Sequence, residues 1–388
     1  MTASLRIGIF TGTRAEYGLL YPIARTLQED GGFQVQLYVS GSHMDERYGQ
    51  TLWEIEQDGF QIVFTPSLPQ LGQNMAAECG FLTRAFGEYF SIAENRPDWV
   101  LILGDRYETL GVATAAFLSN IAMAHIHGGD VVRGGMLDDP IRHAITKLAH
   151  LHFPATPASA ERILAMGEEP WRVTVTGSPV LDNIRLIPTI GKAELAEKYG
   201  LDMEKPWVLF TQHPITTQPE LAGEQARQAL SALAHFGDAI QVIATYPNHD
   251  EGSSSIIREL EGDFVSLPQF RVVKSLGRVN YLNMLRYVSA VVGNSSSGLL
   301  ETAHFKVPCL NIGERQKGRE RGDNVLDVSQ DEECIKKSLL AVLWEPETLC
   351  RLKSDRHPFG SGNCAERIRE VLSKTPINAR LLQKQLTY

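Results

Sequence analysis

Residues 125–150 read HIHGGDVVRGGMLDDPIRHAITKLAH. Histidines, aspartates and arginines crowd the end of an apolar run, Ala122–Ile126. Carboxylates and imidazoles grouped at such a place suit proton transfer, with a cation to balance the charge. His127, Asp130 and Asp139 are the candidates for acid or base, and Arg142 for the cation. A second acidic group, Asp105 with Arg106 and Glu108, follows another apolar run, WVLIL. A plainer reading covers part of this. Asp138 and Asp139 suit the start of a helix, and spacing stacks Asp138 with Arg142 and Thr146, and Asp139 with His143 and Lys147. That reading accounts for Lys147 and His150. It leaves His127, Asp130 and Asp139 unexplained. The HxHxxD spacing of His125, His127 and Asp130 is also metal-like, so a metal-dependent hydrolase is a rival, although no resident metal is expected.

Four further stretches suit an anionic ligand. TGTRAEYGLL (residues 11–20) joins an apolar run to a helical one, with Gly12 for a tight turn, helix-start N–H groups for an anion and Arg14 as a forked donor. It lacks the second and third glycines of the dinucleotide fingerprint. QHP sets His213 just after the apolar WVLFT. GNSSSGLLE runs from an apolar stretch into Ser295 and Ser296, with Glu301 placed for ribose hydroxyls; a serine capping run is the plain alternative. NIGERQKGRERG concentrates Arg315, Lys317, Arg319 and Arg321. The whole chain carries net charge -9, so a general nucleic-acid or anionic-membrane binder is not expected and any anion needs this local field.

The elements that must position these groups alternate. Strands are expected at 5–11, 34–39, 61–65, 99–103, 122–126, 151–154 and 172–175, and helices at 16–28, 74–94 and 107–118. The pattern restarts with strands at 207–211, 239–245, 271–273, 290–293 and 309–312, and helices at 219–235, 254–260, 280–287 and 297–305. Apolar strands with helical crossovers mean parallel sheets covered on both faces, here an α/β chain of two doubly wound domains. At 388 residues and 43% hydrophobic, the chain can bury two cores. The linker is expected within 176–192, which holds Gly177, Pro179, Pro188 and Gly191, and a glycine-rich mobile loop at 131–136. Two such domains leave a cleft at the carboxyl ends of their strands. The tail from Cys364 reads as one or two helices. MTASLRIGIF reads as a first strand, not a signal peptide. The five cysteines form no CxxC pair, which suits reduced thiols in a cytoplasmic protein. Leu110–Ile126 suits a core helix and strand better than a membrane span.

In their order, GTRAEYGLL, GSHMDERYGQT, IEQDGF, GDRYE, HIHGGD, DDPIRHAITKLAH, QHPITT, GNSSSG and IGERQKGRERGDNV resemble the hydrolysing UDP-N-acetylglucosamine 2-epimerases of sialic acid biosynthesis. The resemblance implies the GT-B fold: a first Rossmann-like domain (1–180) with the sugar and catalytic acids, a second (190–365) with the nucleotide, and helices at 366–388 crossing back. It implies that Ser295 and Ser296 hold the diphosphate, Glu301 the ribose, and Arg14 and Arg315 the phosphates. Asn248 joins the nucleotide set, and His213 lies beside diphosphate and sugar. Asp105 and Asp139 match catalytic acids, with Arg142 and His143 on the same helix. His127 and Asp130 stand where relatives carry glutamate, so the base that removes the C2 proton is Asp105, Asp130, Asp139 or His127. The implied products are UDP and N-acetylmannosamine, formed through a 2-acetamidoglucal, with no cofactor and in a homodimer or homotetramer. The same chemistry on a UDP- or GDP-2,4-diacetamido-2,4,6-trideoxyhexose is the alternative. A GT-B glycosyltransferase, a non-hydrolysing epimerase and a non-enzymatic nucleotide-sugar sensor are more distant rivals.

Overall fold

The computed structural model describes residues 4–68, 74–133 and 137–388. Two compact units divide the chain. One holds the residues up to Val131, with Leu137–Leu186 and Phe359–Tyr388; the other holds Ile187–Pro358 and the short stretch around Val132.

The first unit contains β1 (Leu5–Thr11), β2 (Phe33–Val39), β3 (Ile62–Phe64), β4 (Trp99–Leu103), β5 (Ala122–Ile126) and β6 (Leu151–Phe153). They form one sheet in the order β3-β2-β1-β4-β5-β6, every pair parallel. The side-chain period of two decides why β4 is apolar throughout. Trp99, Leu101 and Leu103 pack on one face with Leu20, Ile23 and Leu27 of the Arg14–Glu29 helix. Val100 and Ile102 pack on the other with Leu82 and Phe86 of Met75–Ser91 and Val112 of Tyr107–Leu118. Ile368 and Leu372 of the Cys364–Lys374 helix, and Leu381 beyond it, complete the first face. Such side chains each contribute roughly 1.5–3 kcal/mol on burial.

The second unit repeats the scheme with β7 (Trp207–Thr211), β8 (Gln241–Thr245), β9 (Phe270–Val273), β10 (Ala290–Gly293), β11 (Cys309–Ile312) and β12 (Val325–Val328). Their order is β12-β11-β10-β7-β8-β9. Val208, Phe210, Val242 and Leu310 pack with Leu230 and Leu233 of the Ala222–Ala234 helix and with Ile335 and Leu339 of Glu332–Trp344. In both units the order reverses beside the first strand, at β1/β4 and at β7/β10. Neighbouring connections there leave toward opposite faces and open a crevice at the strands' carboxyl ends.

Three expectations need correction. Residues 172–175 form no strand: only an isolated bridge pairs Val173 with His152. Pro170 opens a 3-10 turn that ends at Arg172 and consumes the start of that stretch. Strand β12 was not expected, because VLDV is short and its Asp327 is exposed, as an edge strand allows. Residues 297–305 split into a four-residue α-helix, Ser297–Leu300, and a 3-10 turn, Thr302–Phe305. The division between the two units, after Leu186, falls inside the expected linker stretch, which also contains a short helix, Val180–Leu186. The expected loop at 131–136 falls partly on Gly134, Gly135 and Met136, which lie outside the described residues.

Candidate active site

In the first unit, three carboxyl-end connections carry the polar groups. The chain leaves β4 through Gly104, so Asp105 stands at the sheet edge before the Tyr107–Leu118 helix. It leaves β5 through His127, whose φ of 62° is left-handed. That region costs a non-glycine residue free energy and persists only where the surroundings fix it. Gly129 follows in the same region, and a Cβ there would stand 2.2 Å from the Ser159 carbonyl oxygen. The turn therefore needs glycine at 129 but tolerates, under strain, an imidazole at 127.

Asp130 accepts from that imidazole. His127 Nδ1 lies 3.2 Å from Asp130 Oδ2, and Ser159 donates to Asp130 Oδ1 at 2.8 Å. A carboxylate can only accept, so the proton of a neutral His127 ring sits on Nδ1 and leaves the lone pair on Nε2. His127 is buried, and among the described residues its Nε2 has no hydrogen-bond partner.

Arg142 gathers the remaining acids. It is fully buried on the Asp138–Leu148 helix. Its guanidinium pairs with Asp105, with Asp139 at 2.5 Å, and with the Asp130 carbonyl at 2.8 Å. The one-turn spacing from Asp139 to Arg142 puts both on one helix face, and the fork geometry lets one arginine hold two carboxylates. Asp105, Asp130, Asp139, Arg142 and His127 are thus brought together. His125 is not part of the group. Its Nε2 meets the Gly104 carbonyl at 2.8 Å and its Nδ1 the Thr146 hydroxyl at 3.1 Å. Burial pulls its pKa to about 3, so it is a neutral strut between elements. The HxHxxD spacing therefore assembles no ligand set. Among the described residues, no group of three or more His, Cys, Asp or Glu is arranged to hold a metal ion.

The turn after β1 is closed by its own helix. Gly12 and Thr13, just before the Arg14–Glu29 helix, donate to Glu16 Oε2 at 2.8 and 2.9 Å, while Thr13 caps the helix in return. Burial raises the Glu16 pKa, with Arg106 opposing the rise. Thr109 donates to Glu16 at 3.3 Å, and Arg106 pairs with the buried Glu108, so this buried carboxyl ties β1's exit to β4's. Arg14 sits half-buried at the first position of the same helix.

In the second unit, β7, β8, β10 and β11 supply the edge. Gly293 ends β10 at φ 136°, and a Cβ there would lie 2.0 Å from the Thr211 carbonyl oxygen. That close approach lets Asn294 clasp His213: the His213 N–H donates to Asn294 Oδ1 at 2.7 Å, and Asn294 Nδ2 donates back to the His213 carbonyl at 2.8 Å. The Asn248 backbone N–H donates to His213 Nδ1 at 3.0 Å. A neutral His213 therefore carries its proton on Nε2, the opposite tautomer to His127. Asn248 is engaged here through its backbone. Arg315 and Gln316 both donate to the Asn294 carbonyl at 3.1 Å, and Arg319 donates to Gln316. Ser297, hydrogen-bonded to Tyr281, donates to Glu301. Ser295 and Ser296 lead into the short helix, Ser296 as its N-cap, and their carbonyls accept from Gly298 and Leu299.

Reading the sequence missed Ser159 and Arg162, which donate to Asp130 and to the Gly129 carbonyl. It also missed Asn294, Gln316, Tyr281 and Ser297. Asn294 and Ser297, inside GNSSSG, and Gln316, inside NIGERQKGRERG, carried a signal. Ser159, Arg162 and Tyr281 sit on helices with nothing local to mark them.

Comparison with known proteins bears on the family and the fold. The sequence model described as UDP-N-acetylglucosamine 2-epimerase matches residues 25–373. A UDP-N,N'-diacetylbacillosamine 2-epimerase (hydrolyzing) from Legionella pneumophila is 35% identical over 381 residues, covering 97% of this chain and 98% of that protein. Polysialic acid biosynthesis protein P7 from Escherichia coli is 36% identical over 359 residues, 91% of this chain and 90% of its own length. The solved UDP-GlcNAc 2-epimerase from Neisseria meningitidis, bound to UDP-GlcNAc, superposes with a TM-score of 0.79 at 18% identity, covering 96% of this chain and 100% of that one. That last likeness concerns the fold, which is GT-B-like. A match spanning nearly the whole chain, on a sheet edge that groups acids, histidines and a buried arginine, places this protein in the UDP-N-acetylglucosamine 2-epimerase family, whose members act on nucleotide sugars.

Proposed function

We propose that this chain is a hydrolysing 2-epimerase, converting a UDP-linked 2-acetamido sugar and water into the free 2-epimer and UDP. The observation that carries the reading is the His127–Asp130 pair, with its buried Nε2, beside two carboxylates held by Arg142. A proton beside an acetamido group is weakly acidic, so its removal needs a placed base and a leaving group that departs with it. His127 Nε2 takes the C2 proton, and Asp130 offsets the charge that the ring gains. The C1–O bond breaks and UDP leaves with the electron pair, giving a 2-acetamidoglucal. Water then adds its hydroxyl at C1, Asp105 or Asp139 relays the proton that water gives up to C2 from the other face, and His127 releases its proton to solvent. Arg142 balances these acids. In the second unit, the Nε2–H of His213 and the Arg315 guanidinium suit a diphosphate whose charge grows as it departs, and Ser295, Ser296, Glu301 and Asn248 belong to the nucleotide set. No net oxidation occurs, so the cycle needs no nicotinamide.

UDP-N-acetylglucosamine is the first proposed substrate, by way of the sialic acid route. UDP-N,N'-diacetylbacillosamine is a second reading, favoured by the activity for which the Legionella relative is named. Proton NMR in deuterated water tests both. The expected result is UDP with a free 2-epimer deuterated at C2. Asp105→Asn and Asp139→Asn should each lower turnover by roughly 10²-fold or more while UDP still binds. Undiminished turnover in both variants would overturn the site, and interconversion of intact nucleotide sugars would overturn hydrolysis.

A further inference from the structure

Far from Asp139 along the same helix, the last residues of the chain close over its other end. Lys384 reaches the final turn of Asp138–Leu148. Its ammonium donates to the carbonyls of Thr146 at 3.3 Å, Lys147 at 2.9 Å and Ala149 at 2.6 Å. These are carbonyls that a helix leaves without intrahelical partners, at its negative end. The same ammonium pairs with Glu168 at 2.7 Å. Glu168 is itself buried, and also accepts from Lys147 at 2.6 Å and from His152 Nε2 at 3.0 Å. Arg172 steadies the tail by donating to the Leu381 and Arg380 carbonyls at 2.8 and 2.9 Å.

This is more than is needed to hold down a tail. A helix of this length spans about 16 Å, and its first two turns bear Asp139 and Arg142. Thr146, whose carbonyl Lys384 holds, also bonds His125 through its hydroxyl, and His125 bonds the Gly104 carbonyl one residue before Asp105. Lys384 thus grips one end of a rigid rod whose side and far end both meet the acidic group.

We propose that Lys384 is a positioning residue for the acidic group, fixing the axial placement of the Asp138–Leu148 helix and hence of Asp139 and Arg142. The proposal rests on the functional reading above, in which those two residues work on the substrate. The groups facing the ammonium are Glu168, Lys147, His152, His150 and Arg172. Burial lowers the Lys384 pKa to about 8, so it is charged at neutral pH. A misplacement of about 1 Å at a reacting group costs up to roughly 10²-fold in rate.

Lys384→Met tests this, with Lys384→Arg as the charge-keeping control. The Met variant is expected to lose roughly tenfold or more in kcat with KM changed less than about twofold, and the Arg variant to recover most of it. Hydrogen exchange supplies a readout independent of turnover: amides of residues 138–148 should exchange faster in the Met variant than in the native chain. Native kcat in Lys384→Met, or unchanged exchange in that helix, would overturn the proposal. If the native chain turned over no nucleotide sugar, the functional reading would fail by itself, and the exchange measurement would still decide whether Lys384 holds the helix.

Discussion

His127 combines a buried ring, an orienting carboxylate and a backbone in the left-handed region. The backbone cost belongs to the residue and not to its role, so the two are separable by substitution. His127→Ala keeps the strained Cβ and removes the ring; His127→Gly removes both. The Gly variant should be the more stable by about 1 kcal/mol in urea denaturation, although both lose turnover. An Ala variant as stable as the Gly variant would show that no strain is held there. Buried Arg142 is the converse case, since its two carboxylate partners make it tolerable inside the unit. The opposite tautomers of His127 and His213 follow from a single difference, a carboxylate acceptor against one Nδ1 and a backbone N–H donor against the other.

At the scale of elements, the site depends on how strands end. Gly293 lets β10 pass so near β7 that Asn294 bonds both N–H and carbonyl of His213. A methyl group at 2.0 Å from a carbonyl oxygen is not relieved by rotamer change, because the obstacle is backbone. Gly293→Ala should therefore destabilise the second unit by about 3 kcal/mol or more and weaken UDP binding, as thermal melts with and without UDP would register. A variant melting like the native chain would show that β10 and β7 can part without cost. The β1 exit is the contrasting element. The Gly12 and Thr13 amides of its turn serve Glu16 and so are not offered to an anion.

Across the whole molecule, several histidines are buried in their neutral form. Burial lowers His125 to about 3, and His150, His152 and His304 to about 4. In the unfolded chain these rings titrate near 6.5, so between pH 6.5 and 4 the unfolded state binds protons that the folded state refuses. Stability is complete above 6.5 and falls as pH drops through this window, by on the order of 3 kcal/mol for a group shifted that far. Glu168 extends the loss to lower pH. Burial alone would raise it, but hydrogen bonds from His152, Lys147 and Lys384 bring it down to about 2; its contribution is present above 4.5 and disappears toward 2. Urea midpoints measured from pH 7 to 4 should fall steadily, and a flat profile would contradict the buried neutral histidines.

The sequence by itself determined the class of fold, because continuous apolar strands with amphipathic crossovers can be buried only in parallel sheets covered on both faces. It located nearly every strand that bears a polar group on its carboxyl edge, since Gly104, His127, His213 and Gly293 interrupt apolar runs abruptly. Where a run was short or edged by a charge, as at β12, or where a proline intervened, as at Pro170, the local pattern misled. Only the tertiary structure decided which acids share an arginine. Arg142 lies 37 residues from Asp105, and no local spacing relates them. The tautomers, the spent amides behind Glu16 and the grip of Lys384 on a helix 235 residues earlier were likewise decided by contacts between distant segments. Each of those depends on which side chain fills a particular buried volume, and a sequence pattern records burial without recording the neighbour.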